Sequence, residues 1–209
     1  MTNMTKTPVP RFGKDDVERV ETDKLHEGFF DYERRLLRHR RFDGGWSETI
    51  AREVHVRPDA VGVLLYDPKR DAIIMVEQFR AGVVGREQSP WLIEPVAGLI
   101  DTDESPEEVA RREAQEEAGC EVTELIEMPA YYPSPGASSE RVRLYCALID
   151  STDIGGVHGL ETEHEDILVH VLPFAKAWEL LEAGQFDNAM ALICLYWLAR
   201  ERASLRARS

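Results

Sequence analysis

The sequence predicts an α+β fold, an α/β/α sandwich built on a mixed sheet and preceded by a small antiparallel sheet. Three observations carry that prediction. Strands come first, then one charged helix, then further strands and two closing helices, with no regular βαβ alternation. The apolar runs "AVGVLLYD" and "AIIMVEQF" are longer and denser than anything before them and mark the entry to the main core. The stretch ahead of them, Val17 to about Val56, mixes charged and apolar residues as a small, largely solvated sheet does.

In that first stretch, "FFDYERRLLRHRRF" and "ETIAREVHV" are strands joined by the turn signal "DGG". Units of two or three strands are marginal alone. Residues 1–57 are therefore expected to be a β-sheet dimerisation segment, and residues 58–209 the main domain. "RPDA" punctuates the chain, and "PKRD" turns it between the two core strands. "WLIEPVAGLI" reads as one further strand, followed after the charged helix by "ELIEMPAYY", "RVRLYCALI" and "DILVHVLPF", each bounded by Pro, Gly or Asp. "FAKAWELLEAGQ" is a helix with a glycine stop. "DNAMALICLYWLARERA" begins at Asp187 or Asn188 as N-cap and carries a wide apolar stripe.

Composition narrows the classes. With 209 residues and 43% hydrophobic content the chain can bury a core. A formal charge of −14 argues against broad binding to nucleic acid or anionic membrane, both of which need a positive field, and leaves room for one basic pocket that takes a small anion. The basic end, "ARERASLRARS", reads as cations closing a terminal helix. Cys120, Cys146 and Cys194 are odd in number and far apart, so neither a disulfide framework nor a zinc site is expected, and reduced, buried thiols in a cytoplasmic protein are. The first residues form no apolar signal region, and "AMALICLYWLA" falls short of the ~18 residues of a membrane span.

The stretch "SPEEVARREAQEEAG" has well-specified ends: Ser105 as cap, Pro106 at the first helical position, Glu108 completing a capping box and Gly119 at the left-handed stop. A helix over Pro106 to Ala118 follows. Glu107 with Arg111 and Glu108 with Arg112 are spaced i,i+4, as on a salt-bridged surface helix. Glu113, Glu116 and Glu117, however, place like charges together at i,i+3 and i,i+4, and something positive should offset that repulsion. A hard divalent cation does so, since magnesium binds through a few carboxylates. Ala110, Ala114 and Ala118 form a small-residue stripe that lets the helix backbone approach the sheet.

The wider spacing, Gly98, Glu104, Arg112-Glu113, Glu116-Glu117 and Gly119, fits G-x5-E-x7-R-E-U-x-E-E-x-G-U, where U is an apolar residue. On these residues the sequence resembles the Nudix hydrolase family, with Ala114 smaller than the usual aliphatic and Cys120 where Ile, Leu or Val is commoner. The resemblance implies a Nudix fold and magnesium-dependent, or manganese-dependent, cleavage of a nucleoside diphosphate linked to another group. It makes Glu113 and Glu117 metal ligands, Glu116 a further ligand or support, and Arg112 an orienting partner.

"YYPSPGASSER", "GFFDYERRLLRH", "AREVHVRPDAV", "VEQFR", "PWLIEPVAGLI" and "GGVHGLETEHEDILVHV" are similar to the ADP-ribose pyrophosphatase subfamily, and together they span nearly the whole chain. That similarity implies that Arg52, Glu53 and Arg80 contact ADP-ribose, that Phe29 and Phe30 reach it from the partner in a homodimer, and that Ala97 offers a carbonyl to a metal. Leu99, Ser134, Gly136 and Glu140 would line the same pocket. Glu163, on the acidic loop "GLETEHED", would be the general base and Glu165 a metal-linked carboxylate, with His164 a competing base of suitable ordinary pKa. Arginines suit a diphosphate and aromatic rings suit an adenine on chemical grounds alone. Two other functions stay open on the sequence. One is the same chemistry on another nucleoside diphosphate sugar or a dinucleotide; the other is a module that binds the nucleotide without cleaving it.

Overall fold

The computed structural model describes residues 9–101 and 103–208. The chain forms two compact units, one of the N-terminal residues through Arg57 with Ser134–Ser139, the other of Pro58–Pro133 with Glu140–Ser209.

In the first unit β1 (Val17–His26), β2 (Asp31–His39) and β3 (Ile50–Val56) make a three-stranded antiparallel sheet in that order. No side chain in these strands is fully buried, and ion pairs such as Arg34 with Asp23 at 2.7 Å lie on its surface. Ser134–Ser139 joins this sheet rather than the strands adjacent to it in sequence: the His55 N–H donates to the Ala137 carbonyl at 2.8 Å, and the Arg57 N–H donates to Ser139 Oγ at 2.8 Å.

The second unit holds β4 (Ala60–Asp67), β5 (Ala72–Phe79), β6 (Trp91–Glu94), β7 (Val96–Leu99), β8 (Glu124–Tyr131), β9 (Val142–Leu148), β10 (Gly156–His158) and β11 (Ile167–Pro173). Its helices are α1 (Pro106–Ala118), α2 (Phe174–Glu182) and α3 (Ala189–Arg206). The strand order is β10-β11-β5-β4-β9-β8, with β6 paired to β5 and β7 to β4. Among the described strands of this sheet only the β4–β9 pair is parallel, so the sheet is mixed, as expected.

"WLIEPVAGLI" is corrected from one strand to two. Pro95 has no N–H to give to a ladder, and the chain crosses there from β5, where β6 pairs, to β4, where β7 pairs. The crossing carries Ala97 and Gly98 to the middle of the sheet, opposite Gly62 and Val61.

Strand alternation divides the core into two layers. Val61, Val63 and Leu65 of β4, with Ile74 and Val76 of β5, pack against Val109, Ala110, Ala114 and Ala118 of α1. Leu64, Tyr66, Ile73 and Met75 face the other way, against Phe174, Ala177 and Leu181 of α2 and Cys194, Leu195 and Leu198 of α3. Gly62 permits α3 to dock: a Cβ there would stand 2.4 Å from Met190 Sδ. The three cysteines are free and buried.

The basic end of α3 places Arg206 in the last turn, as expected, and also bonds to side chains and turns of its own unit. Arg202 pairs with Asp71, whose carboxylate also accepts from the Tyr66 hydroxyl at 2.8 Å, and Arg206 Nε donates to the Pro68 carbonyl at 3.3 Å. Among the described residues no helix is long and apolar enough to cross a membrane.

Candidate active site

The site begins with the docking of α1. Its N-terminus is capped as the sequence predicts, the Glu108 N–H donating to Ser105 Oγ at 3.3 Å and the Ser105 N–H to Glu108 Oε2 at 2.8 Å, and Gly119 stops the helix at φ 62°. Ala110, Ala114 and Ala118 are fully buried, so the helix backbone lies close to the sheet.

The salt-bridged surface reading of α1 is overturned. Glu108 is engaged by the cap, and Glu107 accepts from the Tyr145 hydroxyl at 3.1 Å. Arg111 reaches the Val122 carbonyl at 2.6 Å. Arg112 instead turns toward the second half of the helix. It donates to Glu104 at 3.2 Å, to Glu113 Oε1 at 2.9 Å and to Glu116 Oε2 at 2.8 Å, so one guanidinium fork organises three carboxylates. Those contacts hold Arg112 above its ordinary pKa although burial opposes its charge.

Glu113 lies over Gly98: a Cβ on Gly98 would fall 2.0 Å from Glu113 Oε1. Only a glycine leaves room for this carboxylate against β7. Burial pushes the Glu113 carboxyl up to about 7, with Arg112 opposing and Glu116 and Glu165 adding to the shift. Glu117 is 2% exposed and accepts from the Ala97 N–H at 3.1 Å. Burial pushes it up to about 8, the Ala97 N–H opposing, Glu113 and Glu165 reinforcing, and Arg80 opposing weakly. Glu165 therefore belongs to the same cluster, brought there by the loop between β10 and β11. The Gly159 N–H donates to the Glu116 carbonyl at 3.3 Å, and the Leu160 N–H donates to Glu165 Oε2 at 3.3 Å.

Of the sequence-predicted residues, the second unit thus gathers Ala97, Arg112, Glu113, Glu116, Glu117 and Glu165, with Arg80 near enough to act on Glu117. Leu99 is half-buried at the end of β7, opposite Ala60. Glu140 is half-buried, and with Glu94 it adds to the burial and the neighbouring Cys194 that hold the Tyr131 phenol above its ordinary range. Glu163 is not brought into the cluster. It stands exposed on the 3-10 turn Glu161–Glu163, and its side chain makes no hydrogen bond among the described residues. His164 follows in the left-handed region at φ 56° and is exposed.

In the first unit Phe29 is 85% exposed and meets Phe30 edge-on at 4.6 Å between ring centroids. The Arg57 guanidinium covers the Phe30 ring at 4.4 Å. Arg52 donates to the Ala51 carbonyl at 2.7 Å, and Glu53 stands opposite Arg34 across the ladder. The Ser134 carbonyl accepts from the Ala137 and Ser138 N–H groups, and Gly136 sits at the tip of that turn with open space beside it.

Sequence reasoning missed Glu94. It is 5% exposed, accepts from Arg80 Nε at 2.5 Å, and is bonded by Asn188 at the N-cap of α3. One signal pointed to it, a lone glutamate inside an apolar strand run.

Among the described residues no three His, Cys, Asp or Glu side chains form a ready-made metal cage. Arg112 draws Glu113 and Glu116, and the Ala97 amide draws Glu117. The donor set nevertheless fits a hard cation. It is all oxygen, two of its members are carboxyls raised chiefly by burial with the Glu165 charge adding to both, and Gly98 leaves a cradle that a Cβ would fill.

A family model for the NUDIX domain matches residues 56–191. The chain belongs to the Nudix family, and its architecture is the Nudix sandwich. It is 41% identical over 195 residues to the ADP-ribose pyrophosphatase of Escherichia coli (strain K12), covering 93% of each chain. It is 39% identical over 201 residues to the ADP-ribose pyrophosphatase of Haemophilus influenzae, covering 95% of this chain and 93% of that one. The GDP-mannose pyrophosphatase of Escherichia coli (strain SMS-3-5 / SECEC) is 36% identical over 148 residues, covering 70% of this chain and 76% of the relative. A solved structure, an ADP compounds hydrolase, shares the fold at TM-score 0.67 and 22% identity, covering 93% of this chain and 97% of that one.

Proposed function

We infer that this chain is a hydrolase that cleaves the diphosphate bond of ADP-ribose, giving AMP and ribose 5-phosphate, with a divalent cation held at the α1 carboxylates. The observation that carries the substrate is the similarity to ADP-ribose pyrophosphatases over 93% of each chain. Glu113 and Glu117 would hold the cation, with Glu116, Glu165 and the Ala97 carbonyl as further support. What magnesium, or manganese in its place, supplies when bound is neutralisation of diphosphate charge and a more acidic water.

The chain's own groups do the rest. Arg112 keeps Glu113 and Glu116 in register, and Arg80 pairs with diphosphate oxygens when it exchanges its contact with Glu94 for them. Glu163, on its exposed turn, takes the proton of the attacking water as the water oxygen bonds to phosphorus and the bridging P–O bond breaks. Closure of that turn over substrate would bring the base into reach and exclude bulk water. The exposed Phe29 with the half-buried Phe30 edge-on beside it, supplied by a second copy in a homodimer, would offer an aromatic surface to adenine. We place the protein in the cytoplasm, with no role for nucleic acid or membrane.

Purified protein with magnesium should release AMP from ADP-ribose, and Glu113→Gln, Glu117→Gln and Glu163→Gln should each lose most of that rate. Full activity in Glu163→Gln would move the base to another residue, His164 first. The GDP-mannose pyrophosphatase relative makes nucleoside diphosphate sugars the second reading. GDP-mannose turned over faster than ADP-ribose would establish it, and tight ADP-ribose binding without turnover would make the chain a binding module.

A further inference from the structure

Gln78 of β5 is a buried amide that the scheme above does not use. It is 9% exposed, and its Nε2 donates to Glu165 Oε1 at 3.4 Å. The amide orientation follows from chemistry, since an ionised carboxylate only accepts and would repel the amide oxygen. Among the described residues Oε1 is left buried without a hydrogen-bond partner. Such groups are rare in native proteins because an unmet buried acceptor destabilises the fold, and each calls for an explanation. Glu165 is tied on its other oxygen to the Leu160 N–H at 3.3 Å, and the loop behind it to α1 through Gly159. Gln78 is thus the one hydrogen-bonding side chain that the rigid sheet, among the described residues, extends to a carboxylate which acts on both Glu113 and Glu117.

We propose that Gln78 is a positioning residue for the cation site, its Nε2 fixing Glu165 beside the α1 carboxylates and its Oε1 accepting a hydrogen bond from the cation's hydration shell. The proposal rests on the cation reading above. It divides the acidic loop into an anchored base that carries Glu165 and a free tip that carries Glu163. Partners of this kind, one bond removed from the ligands, change metal affinity by about 10–100-fold when lost.

The test is Gln78→Met, close in length and shape but without the amide. Manganese binding is measured by calorimetry without substrate, and Tm with and without manganese. The expected result is at least tenfold weaker manganese binding, a smaller manganese-induced Tm rise, and a metal-free Tm unchanged or higher because the orphaned acceptor is gone. A purely structural role would lower the metal-free Tm and leave the affinity alone, and that outcome overturns the proposal. Gln78→Asn, one methylene shorter and still polar, is the second variant should the first misfold, and it too should bind manganese more weakly. Glu117→Gln separates the two readings. If it weakens manganese binding and the Gln78 variants do not, the positioning role alone fails; if it leaves binding intact, the cation site itself is wrong.

Discussion

Replacing Gly98 by alanine should separate the fold from the site. The added methyl would lie 2.0 Å from Glu113 Oε1, 2.2 Å from its Cδ and 2.4 Å from its Cγ, so three atoms of one side chain must move. Helix α1 cannot retreat instead, because Val109, Ala110, Ala114 and Ala118 are all fully buried against the sheet. Glu113 must therefore rotate away. Gly98 has no left-handed φ, so alanine stiffens the unfolded chain and favours folding by about 0.4–1 kcal/mol. Against this, Glu113 loses its charged bond to Arg112, about 1.5–3 kcal/mol, and recovers part of it by reaching water. The net cost is about 1–2 kcal/mol, or roughly 2–8 °C in Tm for a chain of this size. Activity should fall far more steeply, by at least about 100-fold in kcat/KM, equivalent to about 2.7 kcal/mol. Thermal melts and AMP release from ADP-ribose with magnesium measure both. Wild-type kcat/KM in the folded variant would show that catalysis does not depend on where Glu113 sits. A Tm loss well beyond about 10 °C would show that the helix had moved and the argument from packing was wrong.

Arg112→Lys should lower kcat/KM by about 10–100-fold with little loss of stability, because a point charge cannot fork across Glu104, Glu113 and Glu116 and the pairs are partly solvated; an unchanged rate would reduce Arg112 to a surface cation. Asp71→Asn keeps the left-handed residue at φ 55° but removes the charge that Arg202 grips. The Arg202 guanidinium holds the Asp71 carboxyl below its ordinary value, burial opposing and the Tyr66 hydroxyl assisting. The folded-state pKa is depressed, so the stabilisation is complete above about pH 4 and is lost as pH falls through the folded value. Urea midpoints should therefore show wild type ahead by about 1–2 kcal/mol at pH 7 and the gap closing toward pH 2.5; a constant gap would refute the ionic account. Phe29→Ala should leave Tm within about 2 °C, since the ring is exposed, and raise KM for ADP-ribose about tenfold if it stacks on adenine; an unchanged KM would remove it from the site.

Much of this was legible wherever a local signal and the tertiary outcome agree. The limits of α1 follow from Ser105, Pro106, Glu108 and Gly119, all of which act within the helix itself. The α3 cap fell to Asn188, one of two residues expected. Where a side chain had a choice of partners, spacing misled. Arg112 could have met Glu108 at i−4, but the capping box had already taken Glu108, and three carboxylates lay on its other side. "WLIEPVAGLI" read as one strand because the reason for the break at Pro95, a crossing from β5 to β4, is tertiary. Gln78 and Glu94 were passed over for a similar cause. Each is a polar residue in a largely apolar strand, Gln78 beside Glu77, and only the pairing of β5 with β6 and β11 shows what each touches.

The placement of the glutamates on α1 also bears on what must offset them. Glu113, Glu116 and Glu117 occupy the C-terminal half of the helix, the negative end of its dipole, and no basic residue stands in the last turn. Two of the three are drawn toward the sheet by the alanine stripe, so burial adds to repulsion, and Glu165 arrives from a separate loop with a further charge. Against four carboxylates the described residues set the Arg112 guanidinium, shared with Glu104, and more weakly Arg80, which acts on Glu117 while paired with Glu94. A helix selected only for stability would carry lysines at these positions, or at least turn the carboxylates to solvent as it does with Glu107 and Glu108. The arrangement lowers stability locally as long as no cation is bound and is relieved when one is, so magnesium should raise Tm in wild type and do so less in Glu117→Gln. Equal rises in the two proteins would mean that the cation binds elsewhere.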